Sequence, residues 1–269
     1  MRAFTFIVLI VLFAVRTAVA DTFGQLYTAL NLQEIVLIMR QEGLEEAEAT
    51  KEIYLKNIRK DSFNSAIDAL YSEAFMETQL RSGLKTALSE DDAEIALAFY
   101  QTQLGALASK LETSARAAIS NDAVEEMAVS VANDALQAGN KRAKLLKNAV
   151  TDMELTEYNL SGAFSARFAF LSGLAEAEEL GITQDQIINL IAQDREALRD
   201  EIDQWVLGFV FMTYRPLSDE ELSQYLAFLL STPGKALNRA LFEAFNELST
   251  QNAGQLGKLL AAAIQAREL

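Results

Sequence analysis

The stretch Leu217-Ser218-Asp219-Glu220-Glu221-Leu222 decides the fold class. Ser218 is a helix N-cap type, and the three acids that follow fall in a first turn, where carboxylates meet the positive end of a helix dipole. Phe228 and Gly234 come next. The chain holds the same phrase once before: Leu88-Ser89-Glu90-Asp91-Asp92 leads to Phe99 and Gly105, each position 129 earlier. A second echo lies upstream, where Gly43-Leu44-Glu45-Glu46-Ala47-Glu48 answers Gly173-Leu174-Ala175-Glu176-Ala177-Glu178 at a displacement of 130. Two echoes at one spacing predict a tandem duplication of a helical unit of about a hundred residues. The expected division is a first repeat over 21–120, connecting helices over 121–150, and a second repeat over 151–269.

Outward from these phrases the apolar spacing is helical nearly throughout. Leu32, Ile35, Val36 and Met39 follow the i, i+3, i+4, i+7 pattern of one buried face. Gly43 reads as a C-terminal stop, with a second helix over Leu44–Ile58 and a third from about Ser62 to Leu84. Ser89 caps a helix that carries Ile95, Phe99, Leu104, Leu107 and Leu111 toward Ile119. Asp122 with Glu125 resembles a capping box, and Gly139 a stop, so Ala123–Gln137 is expected to be a connecting helix. Thr183 and Asp185 begin a long helix through Ile187, Ile191, Leu198 and Trp205 to about Tyr214. Pro216 ends it, and Thr232-Pro233 marks another start. No alternating strand pattern is present. The fold expected is all-α, a helical bundle without sheet whose halves pack about a pseudo-two-fold axis, with Phe99 and Phe228 at equivalent places.

The first twenty residues read as a targeting segment: Arg2 is a positive start, Phe4–Val15 an apolar run, and Ala18-Val19-Ala20 a small-residue cleavage site that places the cut between Ala20 and Asp21. The expectation is export to the periplasm by a cleavable signal, with no transmembrane span left afterwards. Cleavage leaves 21 Lys and Arg (23 less Arg2 and Arg16) against 38 Asp and Glu. That balance argues against nucleic acid as a partner. The sequence contains neither Cys nor His. Disulfides are therefore excluded, along with Ser-His-Asp and Cys-His catalysis within the chain and the usual zinc, haem and iron–sulfur ligand sets. No cofactor is implied.

The run Leu217-Ser218-Asp219-Glu220-Glu221-Leu222, then Phe228, then Thr232-Pro233-Gly234-Lys235, resembles the hallmark of the domain of unknown function 2059 family. Ile35 to Leu44 is similar to the N-terminal part of its long alphaproteobacterial members. The resemblance implies an exported bacterial helical protein, and no activity, substrate or catalytic residue. The first copy departs from the motif, with Gln103-Leu104 where Thr-Pro would precede Gly105, so that copy is expected to run on as one helix.

Several local features invite a functional reading beside a structural one. Helix-start amides at Thr232-Pro233-Gly234 could hold an anion with Lys235 assisting, though cap chemistry accounts for each residue. The acidic triplets could bind calcium or magnesium, but consecutive helical residues diverge and no calcium loop is present. Carboxylate pairs could serve a glycosidase. The aromatics Trp205, Phe209, Phe211, Tyr214, Tyr225 and Phe228 could line a pocket or a docking face, or simply be core. Phe211 cannot share a helical face with Phe209. Lys141, Arg142, Lys144 and Lys147 form the one basic cluster, which suits anionic surfaces or the protein's own acidic faces. The candidate ligand or partner surface is therefore Trp205, Phe211, Tyr214, Tyr225, Thr232, Pro233, Gly234 and Lys235. The expected function is a non-enzymatic binding or scaffold module of the cell envelope, its partner an envelope protein or an apolar ligand. The alternatives are a carboxylate-dependent envelope enzyme and a carrier that holds an apolar ligand between helices. A carrier requires a cavity near Trp205.

Overall fold

A computed structural model describes residues 21–55, 61–193 and 195–266. Residues 1–20, on which the expected signal segment and Ala20 fall, lie outside the described residues; Asp21 is the N-cap of the first helix. The described residues contain helices and no strand: α1 (Thr22–Ala29), α2 (Leu32–Tyr54), α3 (Asp61–Leu70), α4 (Glu73–Ala87), α5 (Glu90–Tyr100), α6 (Gln103–Ile119), α7 (Asp122–Gln137), α8 (Lys141–Asp152), α9 (Leu155–Leu174), α10 (Gln184–Gln193), α11 (Arg195–Thr213), α12 (Asp219–Leu229) and α13 (Thr232–Gln265). The all-α architecture is as the periodicity requires.

Several boundaries differ from the sequence expectation. Gly43 does not stop a helix; α2 runs through it, and the missing side chain makes room for the Tyr71 ring. The expected helix from Ser62 to Leu84 is broken at Tyr71–Ser72 into α3 and α4. The N-cap of α7 is Asn121, not Asp122: its side-chain oxygen accepts from the amides of Ala123 and Val124. Gly139 does end α7, at φ +73°.

The expected continuous helix through Gly105 is also broken, and the reason lies in Thr102. Its hydroxyl accepts from the Gly105 amide (3.1 Å) and donates to the Phe99 carbonyl (2.7 Å), which ends α5 and starts α6. Ser231 repeats both bonds 129 positions later, accepting from Gly234 N and donating to Phe228 O. In each turn a glycine is obligatory. A Cβ on Gly105 would lie 2.2 Å from Phe99 O, and one on Gly234 would lie 2.1 Å from Phe228 O. The two preceding helices are capped alike, by Ser89 accepting from Asp92 N and by Ser218 accepting from Glu221 N. The rings of Phe99 and Phe228 then stack face to face, with centroids 3.8 Å apart and planes 4° from parallel.

Packing interlocks the chain. α13 lies along α9 and also against α4. Gly173 on α9 and Gly257 on α13 let those two backbones touch, since a Cβ at either would meet backbone atoms within 2.4 Å. α7 packs on α11, and Gly208 abuts the Ala128–Val129 backbone there. Two apolar cores result. One gathers Leu26, Val36, Met76, Leu80, Leu84 and Tyr100 with Leu237, Leu248 and Leu260 of α13. The other gathers Leu146 and Val150 with Val206, Val210, Tyr214, Leu222 and Tyr225. Residues from both sides of the 121–150 connector enter each core.

Candidate ligand cavity

Between the two cores lies a cavity of about 860 Å³, partly open to solvent. Its walls draw on both cores: Leu32, Met76, Leu237 and Leu256 from the first, and Leu146, Val206, Val210 and Leu226 from the second. Trp205 and Phe209 of α11 and Phe242 and Phe245 of α13 add aromatic surface. Trp205 stacks on Phe209 at 5.5 Å between centroids, and its indole N–H donates to Glu125 of α7 at 3.1 Å.

One polar cluster stands in this apolar wall. Glu112 projects from α6 at a position shared with the buried Ala108, Ala115 and Ile119, so helix geometry turns its carboxyl inward. Its Oε1 accepts from Tyr214 Oη at 2.7 Å and also from Tyr225 Oη. Tyr225 Oη is 3.3 Å from Tyr100 Oη, which closes the cluster. Burial pushes the Glu112 carboxyl above its ordinary 4.5, and the two tyrosine hydrogen bonds pull the other way without prevailing. Burial likewise raises all three tyrosines, with the Glu112 charge adding to it. Among the described residues no cation pairs with Glu112. Arg116, one turn along α6, is committed to Glu42 of α2 through both terminal nitrogens, and Ser120 donates to the same carboxylate.

A second polar feature belongs to α13. Its buried stripe runs Leu237, Ala240, Ala244, Leu248, Asn252, Leu256 and Leu260, with one amide among the aliphatics. Asn252 lines the cavity and is 4% exposed, yet its Oδ1 has no hydrogen-bond partner. Asn238 and Asn246 on the same wall donate to the Met153 and Tyr158 carbonyls.

Of the residues singled out in the sequence, Trp205, Tyr214, Tyr225 and Gly234 line the cavity. Phe211 does not; it packs half-buried against the second core, on the other side of α11 from Phe209. Thr232 and Lys235 are exposed and Pro233 half-buried, and the Gly234 amide is already bonded to Ser231 rather than free for an anion. The acidic triplets sit in the first turns of α5 and α12, and Ser218 with Glu221 forms a full capping box. Among the described residues no three acidic side chains gather as metal ligands. In the basic cluster, Arg142 bonds Asp219 and the carbonyls of Tyr214 and Leu217, and Lys147 pairs with Asp203. Those two bind the protein's own second half.

Sequence reasoning missed Glu112, Tyr100, Arg116 and Asn252. A signal existed for two of them: Glu112 and Asn252 each occupy an apolar-stripe position of an amphipathic helix. No helix of the described residues is long and apolar enough to cross a membrane. The chain matches no family model, no curated protein and no solved structure.

Proposed function

We propose that this protein is an exported binding protein that holds an apolar ligand between its helices. The observation that carries the reading is the 860 Å³ cavity at the seam of the two cores, within the range of small-molecule sites and walled mainly by aliphatic and aromatic side chains. The cavity is partly open to solvent, so an apolar ligand that enters it removes aliphatic and aromatic wall from water. A carboxylate-dependent enzyme finds less support, because Glu42 is held by Arg116 and Ser120 and no second carboxyl joins Glu112 in its hydrogen-bonded cluster.

Export, membership of the domain of unknown function 2059 family and the tandem duplication belong to the same proposal. The first two rest on the N-terminal segment and on the motif residues. The third rests on the paired turns around Gly105 and Gly234. The test uses the single tryptophan of the sequence. Because Trp205 lines the cavity, a brominated apolar ligand that occupies it quenches the indole by contact. Saturable quenching at one ligand per chain supports the reading, and quenching that only rises linearly with ligand would sink it.

A further inference from the structure

A ligand site is defined by the polar groups it leaves unanswered. Two oxygens of the cavity wall, Glu112 Oε2 and Asn252 Oδ1, accept no hydrogen bond from the described residues. Glu112 spends Oε1 on Tyr214 and Tyr225, and no described residue bonds its Oε2. Asn252 presents a buried Oδ1 without a donor. A buried acceptor left unmet is costly, and Asn252 Oδ1 is one; Glu112 is partly buried on the cavity lining, where a ligand's donor can reach its second oxygen. A ligand that ends in a donor answers it; a fatty-acid carboxylate would face another carboxyl.

The charges of the wall agree. Three carboxyls line the cavity (Glu42, Glu46 and Glu112) against two guanidiniums, Arg116 and Arg167. Arg116 is neutralised by Glu42, so it does not serve Glu112. Trp205, Phe209, Tyr214 and Tyr225 add aromatic faces, which attract cations. The whole chain, at a formal −15, draws cations toward it.

We propose that the ligand is a cationic amphiphile, a protonated amine on an apolar body. Its ammonium group meets the free oxygen of Glu112, and its body lies against Trp205, Phe209 and the aliphatic stripe of α13. The inference rests on the cavity being a ligand site, and it adds the ligand's chemical class.

The binding has a pH signature. An ammonium group favours ionised Glu112, so amine affinity rises as pH rises through the titration of that carboxyl in the free protein. The amine itself, titrating near 10.4 like a lysine, stays charged throughout. The other ionisable groups of the wall are Tyr71 between α3 and α4, Tyr100 of α5, Arg116 of α6, Tyr214 just after α11, Tyr225 of α12, Glu42 and Glu46 of α2, and Arg167 of α9; α8 and α13 contribute none to the lining. Those tyrosines titrate well above neutrality.

The experiment displaces N-phenyl-1-naphthylamine, uncharged at neutral pH, with dodecylamine, dodecanol or dodecanoate below their micellar concentrations. Dodecylamine should displace the probe at roughly one-tenth the concentration that dodecanol or dodecanoate needs, a difference of about 1.4 kcal/mol. Glu112→Gln keeps an oxygen for both tyrosines and removes the charge. In that variant the amine should lose its roughly tenfold advantage over the alcohol. If the variant does not fold, the pH series on the natural chain decides: amine affinity should climb with pH while dodecanol affinity stays flat. Dodecanoate displacing as well as dodecylamine, a preference that survives Glu112→Gln, or a flat amine series would overturn the amine assignment and leave the cavity reading standing. A probe that never binds would overturn the cavity reading itself.

Discussion

Glu112 concentrates the chemistry of this molecule in one side chain. Its carboxyl titrates higher when folded than when unfolded, because burial disfavours the charge. The folded state therefore holds the proton more tightly. The stability this contributes is fully present below the ordinary value of 4.5 and is lost as pH rises through the folded value. Urea unfolding across that window should show stability declining with pH in the natural chain and a shallower decline in Glu112→Gln. Equal slopes would mean that the carboxyl is solvated. Glu112→Ala is a different perturbation, since it orphans the hydroxyls of Tyr214 and Tyr225; it should cost about 1–3 kcal/mol for each group left unmet. Asp203 runs the other way. Burial alone would raise it, but Lys147 and Thr156 hold it below 3.8, so its contribution is lost as pH falls through the folded value. The tyrosines of the site were visible in the sequence as an aromatic run beside the second motif. Glu112 was not, because among 38 acidic residues a single glutamate in Leu111-Glu112-Thr113 carries no local mark. Only its place on the α6 stripe distinguishes it.

At the scale of elements, what was legible followed from periodicity and caps, and what was missed followed from contacts distant in sequence. The helices around Ser89, Ser218 and Thr232 were readable because their caps are local chemistry. The turn at Tyr71–Ser72 was not, since Ser72 makes no side-chain cap bond and the break serves packing. The α5–α6 turn has no proline to mark it in the sequence; the hydroxyl of Thr102 does the work that Ser231 does in the other turn. The two turns make a paired prediction. Gly105→Ala and Gly234→Ala each push a methyl into a carbonyl oxygen and should each cost about 1–3 kcal/mol in thermal or urea unfolding. One tolerated and one damaging substitution would show that the turns are not equivalent. The stacked Phe99 and Phe228 tie the turns together. A double-mutant cycle to leucine should report a coupling of about 0.5–1.5 kcal/mol, and additive losses would remove the stack from the account.

The molecule as a whole is two apolar cores with a space between them. α13 of the C-terminal half packs on α4 and α9, α7 packs on α11, and the seam between the cores is walled mainly by aliphatic and aromatic side chains. An all-α fold was readable from spacing alone. The seam was not, because it depends on how helices far apart in sequence approach, through glycines such as Gly173, Gly208 and Gly257. Trp205 stands where the account is most exposed, on the cavity wall and alone of its kind. The most direct measurement is therefore its fluorescence during titration with a brominated twelve-carbon amine, at submicellar concentration. Quenching should saturate at one ligand per chain and be relieved by excess unbrominated dodecylamine. Unchanged Trp205 emission, or quenching that neither saturates nor is relieved, would contradict the proposed binding.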